Sequence, residues 1–255
     1  MPNHRVPPEI WDHIVDFLQD EPETLKQCCL VSKSWVPRTR KHLFAIVRFD
    51  TPGDIETWKK TFPDPSNSPA HHTHTLFLNC LEAVTAADAA KDGWIQTFSS
   101  VACLEIIRRS EDRDSEMDFT PFQKFSPTLR SLDVTSAFIR HSQIIDLIHY
   151  LPLLEDLTLV GYDREDDEPQ PINSSTPPPL TGTLWLCLLR GISRTVDRLL
   201  GLPNGIRFRK LWLHSRGPED LLSVGKLVEA CSDTLEHLEA RHHPYGANFS
   251  VPLVD

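Results

Sequence analysis

Beyond residue 45 the chain repeats one short pattern, a leucine, any residue, then in most copies a large aliphatic one. It occurs at Leu76-Phe77-Leu78, Leu104-Glu105-Ile106, Leu132-Asp133-Val134, Leu157-Thr158-Leu159, Leu184-Trp185-Leu186, Leu211-Trp212-Leu213 and Leu238-Glu239-Ala240. The leading leucines stand 28, 28, 25, 27, 27 and 27 residues apart. Five of them have a further apolar residue three positions earlier: Val101, Leu129, Leu154, Phe208 and Leu235. Val47-Arg48-Phe49 lies 29 residues before the first leucine and reads as a degenerate eighth copy. A near-constant period of this size marks a stack of units, none of which can bury its apolar face alone. Side chains alternate along a strand, so the outer residues of each triplet point one way and the middle residue the other. The pattern therefore predicts a parallel sheet with one strand per unit and the outer residues in the core. Phe77, Glu105, Asp133, Thr158, Trp185, Trp212 and Glu239 then form one row on the opposite, concave face.

Between the strands, apolar spacing predicts return helices over 86–98, 142–151, 188–200 and 218–231, with Ile144, Ile145, Leu147 and Ile148 the densest set. Two returns lack that spacing. Residues 108–118 read as a charged loop, and 161–179 passes from an acidic run into Pro177-Pro178-Pro179, the composition of a flexible loop.

The first 45 residues predict three short helices. The first opens at Pro7-Pro8, where the first-turn amides lack helical partners, and carries Ile10, Ile14, Phe17 and Leu18 as one apolar stripe. Pro22 opens a second with Leu25, Cys28 and Cys29. Ser32 is placed to cap a third bearing Trp35, with Pro37 able to displace its start. Helices this short cannot bury all their apolar faces on one another, so part of that surface requires a partner.

Composition narrows the function. The net charge of −10 opposes a general nucleic-acid binder, which needs a basic face for phosphates. The six cysteines show no C-x-x-C pair and read as reduced, buried thiols, which suits a reducing compartment. The longest apolar run, Leu184 to Leu189, is six residues, whereas a membrane span needs about 20. The amino terminus shows no apolar signal segment. A soluble cytoplasmic or nuclear protein is expected. The histidines at 71, 72 and 74 and at 237, 242 and 243 lack the paired spacing of structural zinc, so no metal is expected. No glycine-rich phosphate loop or nucleophile elbow occurs, and no enzyme activity or cofactor is expected.

Val6-Pro7-Pro8-Glu9-Ile10, then Ile14, Leu18, Leu25, Leu30-Val31-Ser32-Lys33 and Trp35, closely resembles an F-box. The continuation Arg38 to Phe44 is similar to the segment that leads into the repeats of fungal F-box proteins, and the repeated core resembles leucine-rich repeats without their usual asparagine. The resemblance implies an α/β protein with a three-helix F-box over 5–44 and an irregular leucine-rich-repeat solenoid over 45–255. It implies a substrate receptor of an SCF-type cullin-RING ubiquitin ligase, partnered by the SCF adaptor subunit, through it a cullin, and a protein substrate, with no role for nucleic acid or membrane. Pro7, Ile10, Ile14, Leu18, Leu25, Val31 and Trp35 would then dock the adaptor, although Leu25 and Trp35 also suit the head's own core. Phe77, Trp185 and Trp212 are the candidate substrate-binding residues. The tryptophans also suit stacking on each other or cover by loops. Glu105, Asp133 and Glu239 in the same row disfavour a phosphopeptide and favour an apolar or basic segment. The alternative is a repeat scaffold acting outside ubiquitin ligation.

Overall fold

Each repeated triplet lies at the heart of a strand. The structure, a computed structural model, describes residues 7–79, 93–108, 119–139, 141–163, 179–188, 192–215 and 219–242. Among these, β1 (Ile46–Phe49), β2 (Thr75–Leu78), β3 (Cys103–Arg108), β4 (Ser131–Ile139), β5 (Asp156–Asp163), β6 (Leu180–Leu188), β7 (Ile206–Ser215) and β8 (His237–His242) form one sheet in chain order. Every neighbouring pair is parallel. The register follows the period: Val47, Leu76, Leu104, Leu132, Leu157, Leu184, Leu211 and Leu238 are aligned across all eight strands. All but the last are buried, and β8 is a sheet edge, where Leu238 is 44% exposed. The expected upstream residues Val101, Leu129, Leu154 and Phe208 are buried beside them.

Successive units are also tied by hydrogen bonds at the strand entrances. Backbone carbonyls of Ala45, His74, Ala102, Arg130 and Glu155 each accept an amide from the next unit. Threonine hydroxyls donate from one unit to the previous one: Thr73 to Phe44 O at 2.8 Å, Thr128 to Val101 O at 2.7 Å and Thr234 to Phe208 O at 3.1 Å. These bonds satisfy buried backbone groups that the sheet ladder does not reach.

Seven α-helices lie within the described residues: α1 (Pro8–Phe17), α2 (Pro22–Val31), α3 (Val36–Leu43), α4 (Pro52–Thr61), α5 (His141–His149), α6 (Ser193–Leu200) and α7 (Glu219–Ala230). None is long and apolar enough to cross a membrane. Ile144, Ile145, Leu147 and Ile148 of α5 and Val196 and Leu199 of α6 belong to the same core as the strand leucines. At the β1 end, Phe49, Trp58, Trp94 and Phe98 pack edge to face or tilted, with Phe44 and Phe62 against Trp58.

Four expectations need correction. The return over 86–98 is described only from Gly93, and there it holds a 3-10 turn, Trp94–Thr97. Of the return over 188–200, Leu188 closes β6 and α6 starts at Ser193. Of the loop over 161–179, residues Gly161 to Asp163 are strand, because the long neighbours β4 and β6 supply paired hydrogen bonds to that depth. Residues 164–178 and 109–118 lie outside the described residues. Ser32 does not cap α3: the helix starts at Val36 with Trp35 in the N-cap position. Pro37 dictates this, since a proline is tolerated in a first helical turn and not further in.

Candidate functional site

One candidate surface lies on the helical head and a second on the sheet. On α1 the apolar residues span an arc too wide for one contact. At about 100° per residue, Trp11, Val15 and Leu18 face one direction and Ile10, Ile14 and Phe17 the adjoining one. The first set turns inward. Val15 is buried, Trp11 and Leu18 are half-buried, and the Trp11 ring lies 5.0 Å from that of Trp35. The second set is exposed, Phe17 most of all at 89%. Leu30 and Val31, at the end of α2, are also exposed.

Of the expected adaptor-docking residues, Pro7, Ile10, Ile14 and Val31 therefore face solvent, while Leu18 and Trp35 are half-buried. Leu25, at 1% exposure, is buried with Cys28 on α2, which packs against α3, in keeping with a place in the head's own core. Phe17 and Leu30, outside the expected docking set, are exposed as well, and Phe17 lies seven positions after Ile10 and so on its face.

The head is held by charge as well. The Arg38 guanidinium donates from Nε and a second nitrogen to the two oxygens of Asp16, and His42 Nε2 lies 2.7 Å from Asp16 Oδ1. These partners, Arg38 foremost, hold the Asp16 carboxyl well below the usual carboxylate range. The head meets the sheet where α3 packs against the 3-10 turn Pro69–His72.

On the sheet, the register aligns the middle residues as Arg48, Phe77, Glu105, Asp133, Thr158, Trp185, Trp212 and Glu239. Arg48 lies 4.4 Å above the Phe77 ring, a cation–π contact, so Phe77 is capped by a charge. Trp185 and Trp212 are stacked, with ring centroids 6.2 Å apart and planes inclined by 29°. His237 covers the other side of Trp212 at 4.9 Å, and His214 lies 6.4 Å from Trp185. Trp185 stays 43% exposed while Trp212 is half-buried. The three candidate substrate residues thus fall into two places: Phe77 on β2, near one end of the row, and the tryptophans on β6 and β7, beyond the three intervening strands.

Between them lie two acids. Glu105 and Asp133 are direct neighbours in the register, both half-buried. Burial pushes Asp133 up to about 6, helped by the negative charge of Glu105 and opposed by a 3.2 Å hydrogen bond from Thr135 Oγ1. Burial also raises Glu105, which Arg48 partly offsets. Cys187 Sγ lies 3.7 Å from His214 Nδ1, a thiol–imidazole pair one repeat apart that the β6–β7 register aligns. Cys187 is buried, which leaves its sulfur little access to a substrate. Among the described residues no three His, Cys, Asp or Glu side chains are placed to hold a metal ion. No family model matches the chain, and no curated protein matches it.

Proposed function

We propose that the chain is a non-catalytic substrate-recognition subunit of an SCF-type ubiquitin ligase. The head docks the SCF adaptor subunit, and through it a cullin, while the sheet face captures a protein substrate. The observation that carries this reading is the divided apolar arc of α1. Trp11, Val15 and Leu18 already complete the head's interior, so Ile10, Ile14 and Phe17 are surplus to the fold. Exposed large apolar side chains on so small a module are characteristic of a partner interface, where their burial adds to affinity. The F-box-like order of residues through this segment specifies which partner. In such an assembly the chain supplies proximity. It holds a substrate lysine near the charged conjugating enzyme and raises the effective concentration of the reacting groups without contributing any itself.

The test is co-purification of the intact chain with an SCF adaptor subunit and then with a cullin. Ile10→Asp should abolish capture, because the interface would bury an unpaired carboxylate at a cost of several kcal/mol. Ile10 is exposed in the free chain, so the variant should keep the parent's circular dichroism. Capture undiminished by the substitution would reject the docking assignment.

A further inference from the structure

We propose that the open face of the sheet binds an extended protein segment bearing a large apolar or aromatic residue and, four positions away, an arginine or lysine. This deepens the substrate-receptor reading and rests on it for biological purpose, though the binding chemistry stands by itself.

The apolar half of the site is Trp185 with Trp212. Trp212 is fixed between Trp185 and His237, so it serves as a backing plate, while Trp185 offers solvent a broad indole surface. An aromatic or long aliphatic side chain laid on that surface gains both area burial and ring contact.

The polar half is Glu105 with Asp133. Two carboxyl groups side by side on adjacent strands repel each other and are partly withdrawn from water, an arrangement that a single cation relieves. Among the described residues no lysine or arginine forms an ion pair with either. Arg48, two strands from Glu105, lies above the Phe77 ring and offsets the Glu105 charge only in part. A guanidinium or ammonium from outside the chain is the complementary group, and an arginine fork suits two carboxylates best. The same acids disfavour a nucleic acid, whose bases the tryptophans could otherwise stack, because its phosphates would be repelled.

Sheet geometry sets the spacing. The acid pair is centred between β3 and β4, the tryptophan pair between β6 and β7, so their centres are three strand intervals apart, about 14 Å. In an extended segment lying across the strands, residues i, i+2 and i+4 project to the same side. At about 3.3 Å per residue, the first and last of these are roughly 13 Å apart. Residue i meets Trp185 and residue i+4 meets the acids. Residue i+2 then lies over β5, where Thr158 occupies the row, and a small side chain fits there.

The probe is a dye-labelled heptapeptide with Phe and Arg four positions apart in a serine and threonine background, titrated into the full chain by fluorescence anisotropy. Saturable binding is expected. Trp185→Ala, and separately Glu105→Gln with Asp133→Asn, should each weaken it by about tenfold or more. Replacing the peptide's Arg by Glu, or shortening the separation to two, should weaken it similarly. Absence of binding at millimolar peptide would overturn the proposal. So would equal binding of the Glu peptide or the short-spaced peptide, equal binding by the variants, or tighter binding of oligouridylate. The assay contains no SCF adaptor subunit. Peptide binding in a chain that captures no adaptor therefore removes the ligase reading alone, and adaptor capture with no sequence-dependent peptide binding removes this proposal alone.

Discussion

Arg38 grips Asp16 through two nitrogens, its Nε at 2.6 Å from Oδ1, and so fastens α3 to α1 across 22 residues of sequence. Both side chains are partly open to water, which limits the pair to about 1 kcal/mol, although its forked geometry places it above an ordinary surface pair. Asp16 is held below its unfolded value, so its contribution is complete above about pH 4 and is lost as the pH falls further. Asp16→Asn should lower the midpoint of thermal unfolding at pH 7, and the gap from the parent should narrow below pH 4. A gap constant from pH 7 to pH 3 would mean that the pair does not stabilise the fold.

Much of this architecture was legible because the two signals that set it are local and periodic. The leucine column could be read from spacing alone: a strand of alternating residues has only one register that buries Leu104, Leu132, Leu157 and Leu184 together. The same spacing placed Trp185 beside Trp212. The division of α1 into two faces was not legible, since a stripe of Ile10, Ile14, Phe17 and Leu18 and an overlapping one of Trp11, Val15 and Leu18 satisfy the same helical period. Which half turns inward is decided by where α3 lies, through the Trp11–Trp35 and Arg38–Asp16 contacts. Cys187 and His214 stand one repeat apart like the tryptophans, so the same period aligns them, but no spacing rule for nucleophiles marks the pair as a contact.

Gly182 is the position where the backbone itself is committed. It sits at the register shift between β6 and β7 with φ +81°, and a Cβ there would lie 2.2 Å from the Glu155 carbonyl oxygen. Gly182→Ala must distort β5 or β6, and a cost of about 2 kcal/mol or more is expected from the clash and the positive φ together. Denaturant unfolding measures it. A neutral result would show that the bulge relaxes freely.

Leu157 and Leu238 hold the same place in the repeat with different surroundings. Leu157 is 1% exposed between β4 and β6, whereas Leu238 lies on the edge strand β8. Leu157→Ala should cost roughly 2 to 5 kcal/mol, and Leu238→Ala less than about 1.5 kcal/mol. Urea midpoints of the two variants decide between this gradient and a uniform core, in which both losses would be equal.

Asp133 should make the sheet sensitive to pH in the direction opposite to Asp16. Its pKa in the folded chain, about 6, exceeds the ordinary 3.8, so between those values the folded state holds a proton that the unfolded state has released. Stability from this group is therefore present at low pH and lost as the pH rises toward and past 6. The groups that face it act in the same sense. Glu105 on β3 repels its charge, Asp156 and Cys103 on the neighbouring strands add no positive charge, and only the Thr135 hydroxyl favours the ionised form. Asp133→Asn keeps the shape and removes the ionisation. The variant should exceed the parent by roughly 1 to 3 kcal/mol at pH 7.5 and match it near pH 4. A bound cation would reverse the balance by favouring the carboxylate, so the arginine peptide should bind the parent more tightly at pH 7 than at pH 5, and the Asn variant should lose most of that dependence. Urea titrations of both proteins at pH 4.5 and 7.5 test the first half. An equal difference at the two pH values would show that Asp133 ionises as freely in the sheet as in water.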